Sequence, residues 1–149
     1  MNKNTLNWGN VLLLRGAALW LLMALCLAWC MVFLKFDLAF FKLIFPGKFT
    51  RVLQAHLDFL LMAALLLGFY AAKVPLPTSV RWCMVVGAFT NSSLFMLQAM
   101  FPVLDGPTPA EGFFPGLFRV YLLASLITTS YGFGRGAVIV LLSSFQTEE

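Results

Sequence analysis

Charge is scarce in this chain. Of its 149 residues, 11% are charged and 61% hydrophobic, and the mean hydropathy is +0.90. A soluble domain carries about 25% charged residues, so this chain cannot wet its own surface. Lipid must serve as its solvent, which makes it an integral membrane protein, read as a single domain. Ten Lys and Arg against six Asp and Glu leave a net charge of +4, but the cations are scattered and no run of them points to a nucleic-acid partner. Basic residues at membrane boundaries are ordinary for inner-membrane proteins, and a bacterial inner membrane is the expected location.

Histidine is scarcer still, with His56 the single example. That excludes an HExxH metal site, and His56 has no serine or cysteine nucleophile in register. P-loop and Rossmann glycine patterns are also missing. An enzyme made from this chain would leave the chemistry to a cofactor. The three cysteines, Cys26, Cys30 and Cys83, are an odd number and all lie in apolar runs. Cys26 and Cys30 share a helix face, but one histidine leaves zinc short of ligands, so all three read as small buried hydrophobes. The short alternating strands of a membrane barrel are absent. The N-terminal apolar run, residues 16–34, exceeds the about 7–15 residues of a signal-peptide core and no suitable cleavage site follows it. It reads as a retained helix.

What is abundant is long apolar sequence. Four stretches, residues 11–34, 52–72, 82–103 and 117–142, approach the ~20 residues that cross ~30 Å of hydrocarbon. Backbone groups cannot stay unpaired in lipid, so these are helices. The expected fold is all-α, an integral membrane four-helix bundle. The connection KVPLPTSVR forces a tight hairpin between the second and third helices. KFDLAFFKLIFPGKFTR, between the first and second, is long and aromatic and reads as an interfacial or re-entrant segment. FPVLDGPTPAEGFFPG joins the third and fourth. Four spans put both long loops on one side and both termini on the other. FPGKFTRV (45–52) and FPGLFRV (114–120) are alike, which suggests two helix pairs of similar design. Lys35, Lys42, Lys48 and Arg51 on one side nearly balance Lys3, Arg15, Lys73 and Arg81 on the other, so charge does not fix the orientation.

Polar side chains inside hydrocarbon are costly and usually face protein or a ligand. His56 shares a helix face with Val52, Leu60 and Ala63, whereas Asp58 lies about 200° around the helix and cannot orient the imidazole directly. A neutral imidazole here can ligate a haem iron. The alternative is an interfacial histidine bonded to a carbonyl or a lipid. Gly87, Asn91, Phe95 and Gln98 form one stripe on the third helix, where Asn91 serves either as helix–helix glue or as a pocket residue. Thr128, Tyr131 and Arg135 form a stripe on the fourth, with Arg135 able to hold a carboxylate or a lipid phosphate.

FPGKFTRVLQAH resembles the segment around the haem-binding histidine of the styrene oxide isomerase family, with Pro46-Gly47 preceding Ala55-His56 at that family's spacing. A proline-broken loop leading to Thr78 and Arg81, a third-helix asparagine at Asn91, and the segments FFPGLF and YGFG extend the likeness from residue 45 onward. The resemblance implies a four-helix membrane protein that forms trimers and holds haem b at subunit interfaces. One histidine ligates a ferric iron that acts as a Lewis acid, opening an epoxide to a carbonyl compound. On this resemblance His56 is the metal ligand, and Asn91 is the catalytic residue that hydrogen-bonds a small apolar epoxide. Arg51 and Arg119, on the same side as His56, are placed for the haem propionates. Gly87, Phe95 and Met62 take substrate-pocket positions where the family carries polar groups, so the implied pocket is more apolar here. Two further readings stay open. One is a haem b protein without isomerase activity, serving electron transfer, sensing or haem handling, its sixth iron position closed by Met62 or Met96. The other is a cofactor-free helical partner subunit. Membrane lipid and a homotrimer are the expected partners.

Overall fold

The structure, a computed structural model, describes residues 10–106 and 111–145. Lys3 and the loop residues 107–110 lie outside that range. Within it are helices and turns only: α1 (Val11–Lys35), α2 (Ala39–Ile44), α3 (Phe49–Ala71), α4 (Thr78–Met100), a 3-10 turn (Pro102–Asp105) and α5 (Phe113–Phe145). The fold is an all-α bundle. Four of its helices, α1, α3, α4 and α5, are long and apolar enough to cross a membrane. At 1.5 Å per residue the 23 residues of α4 rise about 35 Å. The 33 residues of α5 rise about 50 Å, more than a hydrocarbon core needs.

The helix ends differ from the sequence expectation for identifiable reasons. α3 starts at Phe49 rather than at residue 52, because Arg51 is not excluded by its charge; it sits in the first turn and pairs outward. α4 starts at Thr78, straight after Pro77, and stops at Met100 rather than at residue 103. Pro102 offers no N–H to continue it and disfavours helical backbone at Phe101. α5 begins at Phe113 and runs through Pro115, which is tolerated because first-turn amides need no intrahelical acceptor.

α4 is the middle helix. It packs on α3 along one side and on α5 along the other, with a lesser contact to α1; α1 lies mainly on α3. The α4–α5 contact is made close by small residues. A Cβ on Gly87 would sit 2.8 Å from Thr129 Cα, and one on Gly132 would sit 2.7 Å from the Met84 nitrogen. Small residues let helix backbones approach in this way in membranes, where apolar side chains gain little by leaving lipid for protein. One buried cluster centres on Leu13, Leu66, Val80 and Met84. A second lies toward the long loops around Val52, Phe59 and Ala99. Trp20 packs on both clusters and meets Phe59 and Phe89 of the second, with Trp20 and Phe89 centroids 4.9 Å apart. Cys26, expected to be buried, is exposed on α1, while Cys30 and Cys83 are half-buried. α1 is covered along one side only, so much of its surface faces outward.

Between α1 and α3 the chain turns at Asp37, which adopts φ 64°, and forms α2, whose residues are all unburied. Phe36, Phe40 and Leu43 are 74, 66 and 80% exposed. Six residues cannot re-enter and cross, and this apolar surface suits a lipid interface. The two Phe-Pro-Gly segments have different structural roles. Pro46-Gly47 precedes α3, and the Gly47 N–H donates to the Ala99 carbonyl at 2.8 Å. A Cβ on Gly47 would fall 2.6 Å from that oxygen. Pro115-Gly116 lies inside α5, and a Cβ on Gly116 would meet nothing within 4 Å. Their likeness does not extend to a repeated design. Gly47→Ala is expected to lower stability in detergent by about 1–3 kcal/mol, since backbone must move, while Gly116→Ala, in open space within a helix, leaves it unchanged or raises it by up to ~1 kcal/mol. Thermal unfolding of the two variants checks the asymmetry.

Candidate functional site

Two residues apart on α3, His56 and Asp58 engage different neighbours. The His56 Nδ1 lies 2.8 Å from the carbonyl oxygen of Ala24 on α1. A carbonyl only accepts, so Nδ1 carries a proton, and in the neutral imidazole Nε2 is then the nitrogen with the lone pair. Nε2 has no hydrogen-bond partner among the described residues, and the side chain is half-buried near the outward-facing Leu53 and Leu57. The bond selects the Nδ1–H tautomer of the neutral ring, the one in which Nε2 is free to act as a base.

Asp58 faces α4. Its Oδ2 accepts from Asn91 Nδ2 and from Ser92 Oγ, both at 2.9 Å. The Ser92 hydroxyl also lies 3.0 Å from the Ala88 carbonyl. Its single proton can therefore satisfy an ionised Asp58, or turn to Ala88 and leave Oγ as acceptor for a protonated one. One residue on, Ser93 donates to the Thr90 carbonyl at 2.9 Å, which leaves its oxygen to accept from Tyr121 of α5 at 2.6 Å. A single turn of α4, Thr90 to Ser93, thus carries side-chain hydrogen bonds to both flanking helices.

The other residues singled out in the sequence are dispersed. Arg51 binds Asp105 through Nε at 2.8 Å and again through Nη2, and Gln54 through Nη1 at 2.7 Å. Its guanidinium also lies 6.0 Å from the Phe95 ring centroid. Lys48 completes the cluster at 2.9 Å from Asp105. Met62 is a buried core residue. Gly87 is closed by Thr129, whose hydroxyl donates to the Gly87 carbonyl at 3.0 Å. Arg119 is exposed near the start of α5. Arg135 is exposed and donates to the Tyr131 hydroxyl at 2.7 Å, away from His56's α1–α3 contact. The α4 stripe is shared between its neighbours: Gly87 faces Thr129 of α5, while Asn91 faces Asp58 of α3 and Phe95 lies by Arg51 of α3. An apolar cavity of about 270 Å³ lies instead between the end of α4 and the start of α5, against Leu97, Phe118 and Tyr121.

The chain matches no protein-family model, no curated protein and no solved structure. Among the described residues no group of three or more His, Cys, Asp or Glu could hold a metal. The sequence by itself does not assign the roles of Asp58, Ser92 and Asp105. For Asp105 its only signal is a carboxylate in the long loop on the same side as Arg51.

The Arg51 hydrogen bonds, and then that of Lys48, hold the Asp105 carboxyl below the usual carboxylate range. A depressed folded-state pKa stabilises above the unfolded value of about 3.9, and the contribution is lost as pH falls through the folded value. The unfolding midpoint should therefore drop on acidification below about pH 4, and Asp105→Asn should lower the neutral-pH midpoint while flattening that acid limb. Inside the membrane, a double-mutant cycle of Asp58→Leu and Asn91→Leu should give a coupling of about 0.5–2 kcal/mol; additive losses would mean that the two side chains do not interact.

Proposed function

We propose that this chain is a haem b protein of the bacterial inner membrane, resembling the epoxide isomerases, with His56 Nε2 as the axial ligand. The observation that carries the reading is the bond from His56 Nδ1–H to the Ala24 carbonyl. Metal-ligating histidines regularly donate their other ring N–H to a carbonyl or carboxylate, which fixes the ring and raises the basicity of the ligating nitrogen. The half-exposed imidazole lies on an apolar outer surface, so a porphyrin would be covered partly by a second copy, in keeping with a homotrimer. Arg51 is committed to Asp105; a propionate would displace that carboxylate or turn to Arg119. When bound, ferric haem supplies a Lewis acid for a small apolar epoxide, in surroundings that Leu53 and Leu57 keep poor in water.

A haem b protein without isomerase activity is the second reading, and a specific arrangement favours it. Asn91 is taken up by Asp58, Gly87 is closed on Thr129, and Met62 is in the core. The one polar side chain among them, Asn91, is therefore engaged in packing, and no ring-opening step follows from these residues.

The test is the absorption spectrum of detergent-purified protein expressed with haem supplied, beside His56→Ala. A Soret band in the parent protein, lost or displaced in the variant at unchanged helical circular dichroism, is the expected result. Small epoxides that perturb the ferric band and yield an aldehyde would favour the isomerase over the second reading. No Soret band in the parent protein would overturn both and leave a helical partner subunit.

A further inference from the structure

We propose that the cleft beneath α2 is a binding site for one anionic phospholipid. The cleft, about 460 Å³, is lined by Leu34, Phe45, Pro46, Gly47 and Phe49, with Lys42 as its one charged residue. Its back wall is fixed, because Phe45 is buried and the Gly47 amide is bonded to α4. The exposed Phe36, Phe40 and Leu43 set the depth: they cannot face water as a group, so α2 lies where acyl chains meet headgroups. At that depth an apolar cleft takes an acyl chain, and a cation at its edge takes a phosphate.

Charge selects the headgroup. Lys42 is paired with Asp37 in an exposed contact, and exposed pairs of this kind are weak and exchangeable. Lys35, at the end of α1, has no partner among the described residues. This end of the bundle carries five cations, Lys35, Lys42, Lys48, Arg51 and Arg119, against the carboxylates Asp37, Asp105 and Glu111. The excess favours an anionic over a zwitterionic lipid. The site does not depend on a cofactor at His56.

The full chain in detergent is unfolded thermally with added phosphatidylglycerol, phosphatidylcholine or inorganic phosphate. Ligands that bind the folded state raise the midpoint. Phosphatidylglycerol should raise it by roughly 5 °C more than phosphatidylcholine does, and inorganic phosphate should have little effect. Lys42→Glu should remove at least half of that difference and weaken phosphatidylglycerol binding about 5-fold or more. The exposed position makes misfolding of this variant no obstacle, and Lys42→Ala gives the same direction with a smaller effect. Lys73→Glu, at the opposite end, should leave the difference intact. Equal shifts from both lipids, a full response from phosphate alone, or a lipid preference that survives Lys42→Glu would each overturn the site.

Discussion

The contact between Asp58 of α3 and the Asn91–Ser92 pair of α4 sets the terms for the rest of the bundle. A carboxylate in hydrocarbon is costly unless its oxygens are satisfied, and here the partners are an amide and a hydroxyl. They are delivered by the helix that has neighbours along both sides. α3 covers α4 on one side and α5 on the other. The second cover is close because Gly87 and Gly132 let α5 approach. The small residues of the α4–α5 contact and the polar turn of α4 thus hold α4 to its two neighbours by different means.

At the loop end, different chemistry does a related job. Gly47 bonds the α4 terminus through its backbone, and Arg51 and Lys48 clamp Asp105 just beyond it. All three interactions join the start of α3 to the end of α4, the pair whose other ends are already tied by the Lys73–Pro77 turn. The hairpin is therefore closed at both ends and pinned at mid-depth by Asp58. α1 is held along one side and by the Trp20 N–H to the Val85 carbonyl at 3.2 Å. α5 buries only Ser125, Gly132 and Gly136, so its remaining surface is left to lipid or to another copy.

The four long helices and their side-to-side topology were legible in the sequence, because lipid imposes a length and forbids unpaired backbone. Their ends were less so. A hydropathy reading stops at Arg51, yet a charged side chain at a helix end can pair outward without breaking the helix. It also runs on through Pro102, where backbone geometry rather than polarity ends α4. The likeness of the two Phe-Pro-Gly segments misled for a similar reason: a three-residue string does not say whether the glycine meets a neighbouring backbone, as Gly47 does, or open space, as Gly116 does. The site was legible as a set of residue types. His56, Asp58 and Asn91 stood out as polar groups in apolar sequence, but their pairing depends on which helices are neighbours, and periodicity within one helix does not contain that.

The 200° between His56 and Asp58, which rules out a bond between them, is what makes the pair useful to the fold. Opposite sides of α3 face opposite neighbours, so two polar side chains in one turn reach α1 and α4 separately. The two bonds differ in what they leave over. Asp58 takes donors from Asn91 and Ser92 on one carboxylate oxygen. His56 gives its Nδ1–H to Ala24 and leaves Nε2 with no partner among the described residues. A buried helix-to-helix bond needs nothing beyond a donor and an acceptor, and serine or threonine could supply that donor at lower cost. Imidazole adds a second, basic nitrogen on the outer side of the contact, and that surplus is the feature that packing alone does not require.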